Sequence, residues 1–600
     1  MMVDAVMLNR IGLGMDERLA RLRGELARLG LDGFLVPRGD EHLGEYVPPS
    51  AERLAWLSGF TGSAGLAVVL AGRAAVFTDG RYTLQLAQEA GAAWERLHLT
   101  ETPPPAWLAG AVPKGARVGY DPWLFSEAEV ARYVAAGVSL VAVDANPVDA
   151  VWADRPAPPR APAVPQRLAQ AGVGAGEKRA AVAAALRAAG EDAAVLGDPA
   201  SVAWLLNIRG GDVAFTPFAL GFAVVHSDGR VTLFMEAAKL GDETRAWLGN
   251  EVAVAAPEAL AGALAGLAGR RVRVDEQRTA AWFAQTLRAA GAVVVAGADP
   301  CALPKACKNT VEQAGARAAH LRDAVALCRF LHWVDGRTGE TEMSAAARLL
   351  AFRAEVAEFR GESFPAITGA GEHGAVIHYR ASTESDRAIG ADEVYLIDSG
   401  GQYVDGTTDV TRTLWTGPGV APDEVRERAT RVLAGHIAVA TLVFPQGVCG
   451  AHLDSFARRA LWAVGLDYDH GTGHGVGSYL SVHEGPIGLS RAARPVPFEA
   501  GMILSDEPGF YLPGAYGIRL ENLLLVQAAE VGGGRFLRFE TLTLAPFDRR
   551  LLQPALLSAA ELAWVDAYHA RVLAEVGPLL DTAAREWLAA ACAPLTGGAG

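Results

Sequence analysis

The stretch LIDSGGQYVDGTTDVTRT, residues 396–413, decides how the second half of this chain is read. It lies in an apolar run, VYLIDSG, that delivers Asp398 near its end. The chain turns around Asp405-Gly406 and returns as DVTRTLW, a second run with alternating side chains. A hairpin of that length sets Asp398 and Asp409 near each other on one face. Adjacent carboxylates repel unless cations lie between them, so the pair points to metal. Asp405, at the turn itself, reads as a solvated acid.

Three further segments add donors. HGTGHGVGSYLSVHEGP (470–486) carries His470 and His474 four apart and interleaved with glycine. So much glycine excludes a helix and predicts a tight loop or the start of a strand, where backbone can pass close to a ligand. One of the two histidines can supply a neutral imidazole; a pair of core histidines is the plainer reading. LSDEPGFY (504–511) sets Glu507 before a Pro-Gly turn, and GIRLEN (517–522) sets Glu521 after a strand-like run. Arg519 shares a strand face with Glu521 and could pair with a carboxylate and hold it. Each glutamate alone reads equally well as solvated, and His378, in AVIHYR, reads as a core histidine. Together Asp398, Asp409, His474, Glu507 and Glu521 offer four carboxylates and one imidazole, more acid than one divalent ion needs. Such a set suits two hard cations sharing carboxylates, manganese or magnesium rather than zinc.

Composition narrows the rest. Six hundred residues exceed one hydrophobic core and predict several domains. With 51% hydrophobic and 20% charged residues the chain is ordinary globular protein. Sixty-eight acids against 54 Lys and Arg, a net charge of −14, argue against nucleic acid or an anionic membrane as partner. Five cysteines in irregular spacing, without a CxxC, fit buried thiols in a reducing cytoplasm. The N-terminus lacks the basic and apolar regions of a signal peptide, and no apolar run reaches the ~18 residues that span a bilayer. A soluble, cytoplasmic protein is expected. GFTGSAG, near Gly62, lacks the Gly-Lys-Ser/Thr ending of a phosphate loop.

DERLARLRGELARL (16–29) has the leucine spacing of an amphipathic helix; GFLVP reads as a buried strand and GLAVVLAGRAAVFTDGRY as two strands. Five prolines between Pro156 and Pro165 cannot be helix or central strand and mark a boundary. Beyond it the pattern recurs. Ala55-Trp56-Leu57, Gly65-Leu-Ala-Val-Val and Gly72-Arg73 are matched by Ala203-Trp204-Leu205, Gly221-Phe-Ala-Val-Val and Gly229-Arg230. Two related α/β domains in tandem are expected, at 1–155 and 156–308. A third domain, 309–600, opens with a long amphipathic helix and holds ten of the thirteen histidines, among them every functional candidate.

These motifs, with GDEHLGEYVPP, SGFTGSAG and AWLLNIRGGDV, resemble the three-domain Xaa-Pro aminopeptidase (aminopeptidase P) family of pita-bread metallopeptidases. The likeness runs nearly end to end. It implies a mixed α/β (α+β) chain of two creatinase-N-like domains followed by a pita-bread catalytic domain. It implies a dinuclear, manganese-dependent enzyme that releases the first residue of peptides with proline second, and a homodimer. By that resemblance Asp398, Asp409, His474, Glu507 and Glu521 are metal ligands, with Asp409 and Glu521 bridging. His378, His470 and His483 line the substrate site; His378 and His483 steady the scissile carbonyl, and Glu507 also moves the proton. Asp506 stands where the family commonly has asparagine, and residues 1–15 read as an extension. A prolidase confined to Xaa-Pro dipeptides, a non-catalytic scaffold, and an amidinohydrolase lacking the metal carboxylates are the alternatives.

Overall fold

The two apolar runs that recur in the sequence fold alike. In the computed structural model, which describes residues 14–337 and 339–595, Leu66–Leu70 pairs antiparallel with Ala74–Thr78. Phe222–His226 pairs in the same way with Val231–Phe234. A short helix carrying the Ala-Trp-Leu triplet precedes each hairpin, Arg53–Ser58 in one case and Pro199–Leu206 in the other. The glycine before each hairpin has no room for a side chain. A Cβ on Gly65 would lie 3.1 Å from the Phe77 carbonyl oxygen, and one on Gly221 would lie 2.8 Å from that of Phe234, its counterpart on the partner strand.

Both hairpins sit in six-stranded mixed sheets of matching order. The first runs Glu95–His98, Ala74–Thr78, Leu66–Leu70, Gly33–Pro37, Arg117–Tyr120, Ser139–Ala142. The second runs Val252–Ala255, Val231–Phe234, Phe222–His226, Ala193–Leu196, Arg271–Val274, Val293–Ala296. Strand directions correspond throughout, antiparallel around the hairpin and parallel toward both edges. Matched order and direction are what an internal duplication leaves behind. Both sheets belong to one compact unit made of the chain up to Pro165, Ala175–Ala214 and Phe218–Cys301. The proline-rich stretch contributes only Val164–Pro165 to a two-residue ribbon with Ile208–Arg209, as residues without an N–H require. The expected N-terminal extension lies, through residue 13, outside the described residues.

The second compact unit runs from Ala302 onward and includes Gln166–Gly174 and Phe215–Pro217. It opens with the long helix Thr310–Val334, whose first turn is closed by a reciprocal capping box between Asn309 and Glu312. A three-stranded sheet, Ile367–Ala370, Val394–Ser399 and Val410–Trp415, carries Asp398 and directly flanks Asp409. A six-stranded sheet that includes Gly473–Gly475, Ile503–Asp506 and Asn522–Val531 and a hairpin of Gly509–Leu512 with Tyr516–Arg519 carry or flank the other three.

Alternation along these strands aims the site. Tyr395 and Ile397, with Val410 and Leu414, enter an aliphatic core shared with the helices Thr310–Val334 and Glu342–Ala354. Asp398 therefore points to the other face. A register slip of one residue would drive its carboxylate into that core, so burial of its neighbours fixes where it points. Ile518 and Leu520 likewise enter a core with Val432, Leu433, Val565 and Val572, leaving Arg519 and Glu521 for the opposite face.

The alternation of DVTRTLW does not put one face in water: Val410–Trp415 is buried throughout. Its polar side chains are satisfied inside. Arg412, 1% exposed, donates to the carbonyls of Thr411, Glu521, Ala545 and Pro546, to Asn522 Oδ1 and to the Tyr568 hydroxyl. One guanidinium thereby joins three separate stretches of chain. Arg412→Ala would strand these acceptors without donors, at a cost of about 3–5 kcal/mol. Calorimetry of the variant should show the thermal midpoint lowered by roughly 10 °C; an unchanged midpoint would contradict this role.

Candidate metal centre

Asp398 lies across the strand pair from Thr411, and Asp409 is two residues before Thr411. Both carboxylates therefore share one face. The intervening chain pairs Gly401–Tyr403 with Gly406–Thr407 in a small sheet completed by Phe359–Glu362, and Asp405 at its turn is ion-paired with Arg322 rather than left to solvent. His474 stands in the short strand Gly473–Gly475, where the flanking glycines permit the approach. A Cβ on Gly473 would fall 1.9 Å from the Ser505 carbonyl oxygen, and one on Gly475 would fall 2.2 Å from that of Glu484. Glu507 follows the strand Ile503–Asp506, and Glu521 precedes the strand Asn522–Val531.

These side chains converge. Ligand-type atoms of Asp409, His474 and Glu521 all lie within 4.8 Å of one another. His474 Nε2 is 3.5 Å from Asp409 Oδ2 and 3.5 Å from Glu507 Oε1. Its Nδ1 faces the Gly475 carbonyl at 3.0 Å and so carries the ring proton, leaving Nε2 as the inward donor atom. Hydroxyls steady two of the acids: Thr411 donates to Glu521 Oε2 at 2.7 Å, and Ser505 donates to Glu507 Oε1 at 3.1 Å.

Asp398 is held by Arg519, whose Nη2 donates to Oδ2 at 2.6 Å; its Oδ1 is buried without a hydrogen-bond partner. Arg519 also donates to the hydroxyls of Tyr511 at 2.8 Å and Thr411 at 3.1 Å, and to the Ile377 carbonyl at 3.3 Å. The Tyr511 hydroxyl meets His470 Nε2 at 2.8 Å. Since His470 Nδ1 faces a carbonyl, Tyr511 donates to this ring. A continuous chain thus runs from Asp398 through Arg519 and Tyr511 to His470. His483 meets His474 edge-on, centroids 4.3 Å apart and planes at 82°. Half-buried His378 follows Ile377, whose carbonyl Arg519 holds. Buried Glu342 braces that segment, accepting from the Ala370 amide at 2.8 Å and the Tyr379 hydroxyl at 3.0 Å and lying 2.9 Å from His373 Nδ1.

The electrostatics match a cation site. Burial pushes the Asp398 carboxyl up to about 7 against the pull of Arg519, with Asp409 adding to the rise. Burial also raises Glu507, against the opposing pull of His474, and lifts Glu521 well above the carboxylate range, reinforced by Asp409 and Asp398. Burial would lower His474, yet the Asp409 and Glu507 carboxylates carry it up to about 9. So many acids in so little water hold protons unless something positive replaces them. An oxygen-rich set with one inward imidazole nitrogen, and an unpartnered carboxylate oxygen on Asp398, fits divalent cations.

Asp506 points away from this cluster. It is fully buried, and its Oδ2 lies 3.1 Å from His436 Nδ1, on the opposite side of the chain from Ser505 and Glu507. Burial raises its carboxyl well above the usual carboxylate range and lowers His436 to about 3. Tyr511, Thr411, Ser505 and Glu342 escaped the sequence reading. Two of them had a signal, since Thr411 and Ser505 each stand two residues from a candidate ligand, on the same strand face.

Residues 314–528 match Metallopeptidase family M24, and 535–595 match the C-terminal region of that family. Two matches to the Creatinase/Prolidase N-terminal domain cover 18–151 and 154–312. A probable Xaa-Pro aminopeptidase P of Laccaria bicolor is 39% identical, over 96% of this chain and 93% of the relative. Aminopeptidase P2 of Arabidopsis thaliana is 36% identical, over 96% and 88%. The crystal structure of X-prolyl aminopeptidase from Caenorhabditis elegans, described as a cytosolic enzyme with a di-nuclear active site, superposes with a TM-score of 0.92 at 33% identity. That match covers 97% of this chain and all of the other. The chain belongs to metallopeptidase family M24, among the aminopeptidase P proteins that carry paired creatinase/prolidase N-terminal domains.

Proposed function

We propose that the protein is a dinuclear metal-dependent aminopeptidase that releases the N-terminal residue from peptides with proline in second position. One observation carries this reading: Asp398, Asp409, His474, Glu507 and Glu521 gather at one buried locus of a chain that matches aminopeptidase P over nearly its whole length. A scaffold or a metal-free amidinohydrolase has no use for such a costly cluster of acids. The two N-terminal domains, with limits set at 1–155 and 156–308 before a catalytic domain at 309–600, favour an aminopeptidase over a dipeptide-cutting prolidase.

Asp398, Asp409, His474, Glu507 and Glu521 would hold the two ions, with Asp409 and Glu521 the candidates to be shared between them by the family resemblance. When bound, the two ions supply Lewis acidity for the scissile carbonyl and make water a competent nucleophile near neutral pH. Manganese is the metal we expect, from four carboxylates and a single imidazole. Arg519 holds Asp398 in place through a charge-assisted hydrogen bond. Glu507 takes the proton of the attacking water and passes it toward the leaving imino nitrogen. His483 and His378 donate to the carbonyl oxygen as charge builds on it. His470, anchored by Tyr511, lines the substrate site. A homodimer is the assembly we expect, on the family resemblance alone. Cytoplasmic location is supported by the cytosolic relative from Caenorhabditis elegans. No helix among the described residues is long and apolar enough to cross a membrane.

Chelator-stripped protein, assayed with and without manganese on Xaa-Pro-Yaa tripeptides, Xaa-Pro dipeptides and Xaa-Ala-Yaa controls, tests the proposal. Manganese-dependent release of Xaa from the first substrate alone is expected. Cleavage confined to dipeptides would make the protein a prolidase, and inactivity of metal-loaded protein on all three would favour the scaffold. His483→Ala is expected to bind metal normally while kcat falls about 10²-fold. Loss of metal in that variant would move His483 into the ligand set.

A further inference from the structure

Glu484 directly follows His483 and opens the strand Glu484–Leu489. Its carboxylate is gripped by two ammonium groups: Lys305 Nζ lies 3.2 Å from Oε2, and Lys308 Nζ lies 2.5 Å from Oε1. All three side chains are 5% exposed or less. Lys305 sits in the helix Ala302–Ala306, and Lys308 lies just before the capped start of Thr310–Val334. The Lys308 backbone is fixed as well, donating to the Gly501 carbonyl at 3.0 Å and accepting from Gln313 Nε2 at 2.7 Å.

Stability is a poor reason for this arrangement. Charged side chains in a dry place carry a desolvation cost, and apolar side chains of like volume would serve as well or better. Position is a better reason. Glu484 pairs with Gly475 across the sheet, so the trio grips the point where the loop 476–483 rejoins its strand. His474 lies one residue from that pairing on one strand, and His483 lies one residue from it on the other. The two rings meet there edge-on at 4.3 Å. Gly477 packs against the same carboxylate, since a Cβ on it would come within 3.1 Å of Glu484 Oε2.

We propose that Lys305 and Lys308 are positioning residues: by clamping Glu484 they set where the His483 imidazole stands relative to the metal ligands. The inference rests on the assignment of His483 to the carbonyl oxygen.

Lys308→Met is the informative change, because Lys305 remains to pair with Glu484 and no charge is orphaned. Glu484→Gln would instead remove the carboxylate that both ammonium groups share. Four manganese-loaded proteins are compared on an Xaa-Pro-Yaa tripeptide: wild type, Lys308→Met, His483→Ala and the double variant. The clamp predicts that Lys308→Met lowers kcat about 10- to 100-fold, with KM and calorimetric manganese affinity nearly unchanged. It predicts no further loss when the change is made on His483→Ala. Equal losses in both backgrounds, or a parallel loss of manganese affinity, would reduce the trio to a structural support and overturn the proposal. Lys305→Met carries the same test if Lys308→Met does not fold. If wild type cleaves no Xaa-Pro peptide, the functional reading fails on its own. The His483 ring resonances of 15N-histidine-labelled protein then decide the clamp: they shift or broaden in Lys308→Met if it holds and stay unmoved if it does not.

Discussion

Four carboxylates, three buried and that of Glu507 part-buried, crowded around one imidazole are the constraint on which the rest of this catalytic unit depends. Like charges at such range, with little water to screen them, cannot all stay ionised unless positive charge sits among them. Arg519 supplies part of it at Asp398, within 2.6 Å. Protons could supply the remainder, which is why burial lifts Asp398, Glu507 and Glu521. Divalent cations supply it better, because they meet several oxygens at once. The same crowding that would destabilise an empty cluster is thus what gives the cluster its affinity for metal.

Holding such acids in place takes a rigid frame, and the strands provide it through alternation. Ile397 beside Asp398, Val410 beside Asp409 and Leu520 beside Glu521 enter apolar cores, so these three carboxylates have one direction left to point. Polar groups of the same strands then steady it, Thr411 at Glu521 and Ser505 at Glu507. Behind the site, Arg412 binds carbonyls of Glu521, Ala545 and Pro546 into one piece. The proposed ligands come from five positions along the chain, and this cross-bracing keeps them in mutual register.

Much of the site was legible in the sequence because its parts are local. Asp398 and Asp409 lie on one hairpin, and the hairpin's period of two sets their common face. Glycines around His474 announced a close backbone approach, which the carbonyls of Ser505 and Glu484 make. The duplicated N-terminal region was legible for a similar reason. Gly65 and Gly221 recur because equivalent carbonyls, those of Phe77 and Phe234, press on equivalent positions. What the sequence concealed is non-local. Tyr511 links His470 to Arg519, and Glu342 braces the segment before His378 from a helix 28 residues upstream of Ala370. Lys305 and Lys308 meet Glu484 across more than 170 residues. Nothing in the spacing of such residues marks them as neighbours. Asp405 shows the reverse limit, since its turn suggested solvent and Arg322 claimed it.

X-ray diffraction from manganese-soaked crystals, with data on both sides of the manganese absorption edge, tests the central claim most directly. The account predicts two anomalous peaks per chain, both within the cluster of Asp398, Asp409, His474, Glu507 and Glu521, with Asp409 and Glu521 touching each. A single peak, peaks elsewhere, or a cluster that stays free of metal while its carboxylates keep their protons would contradict it.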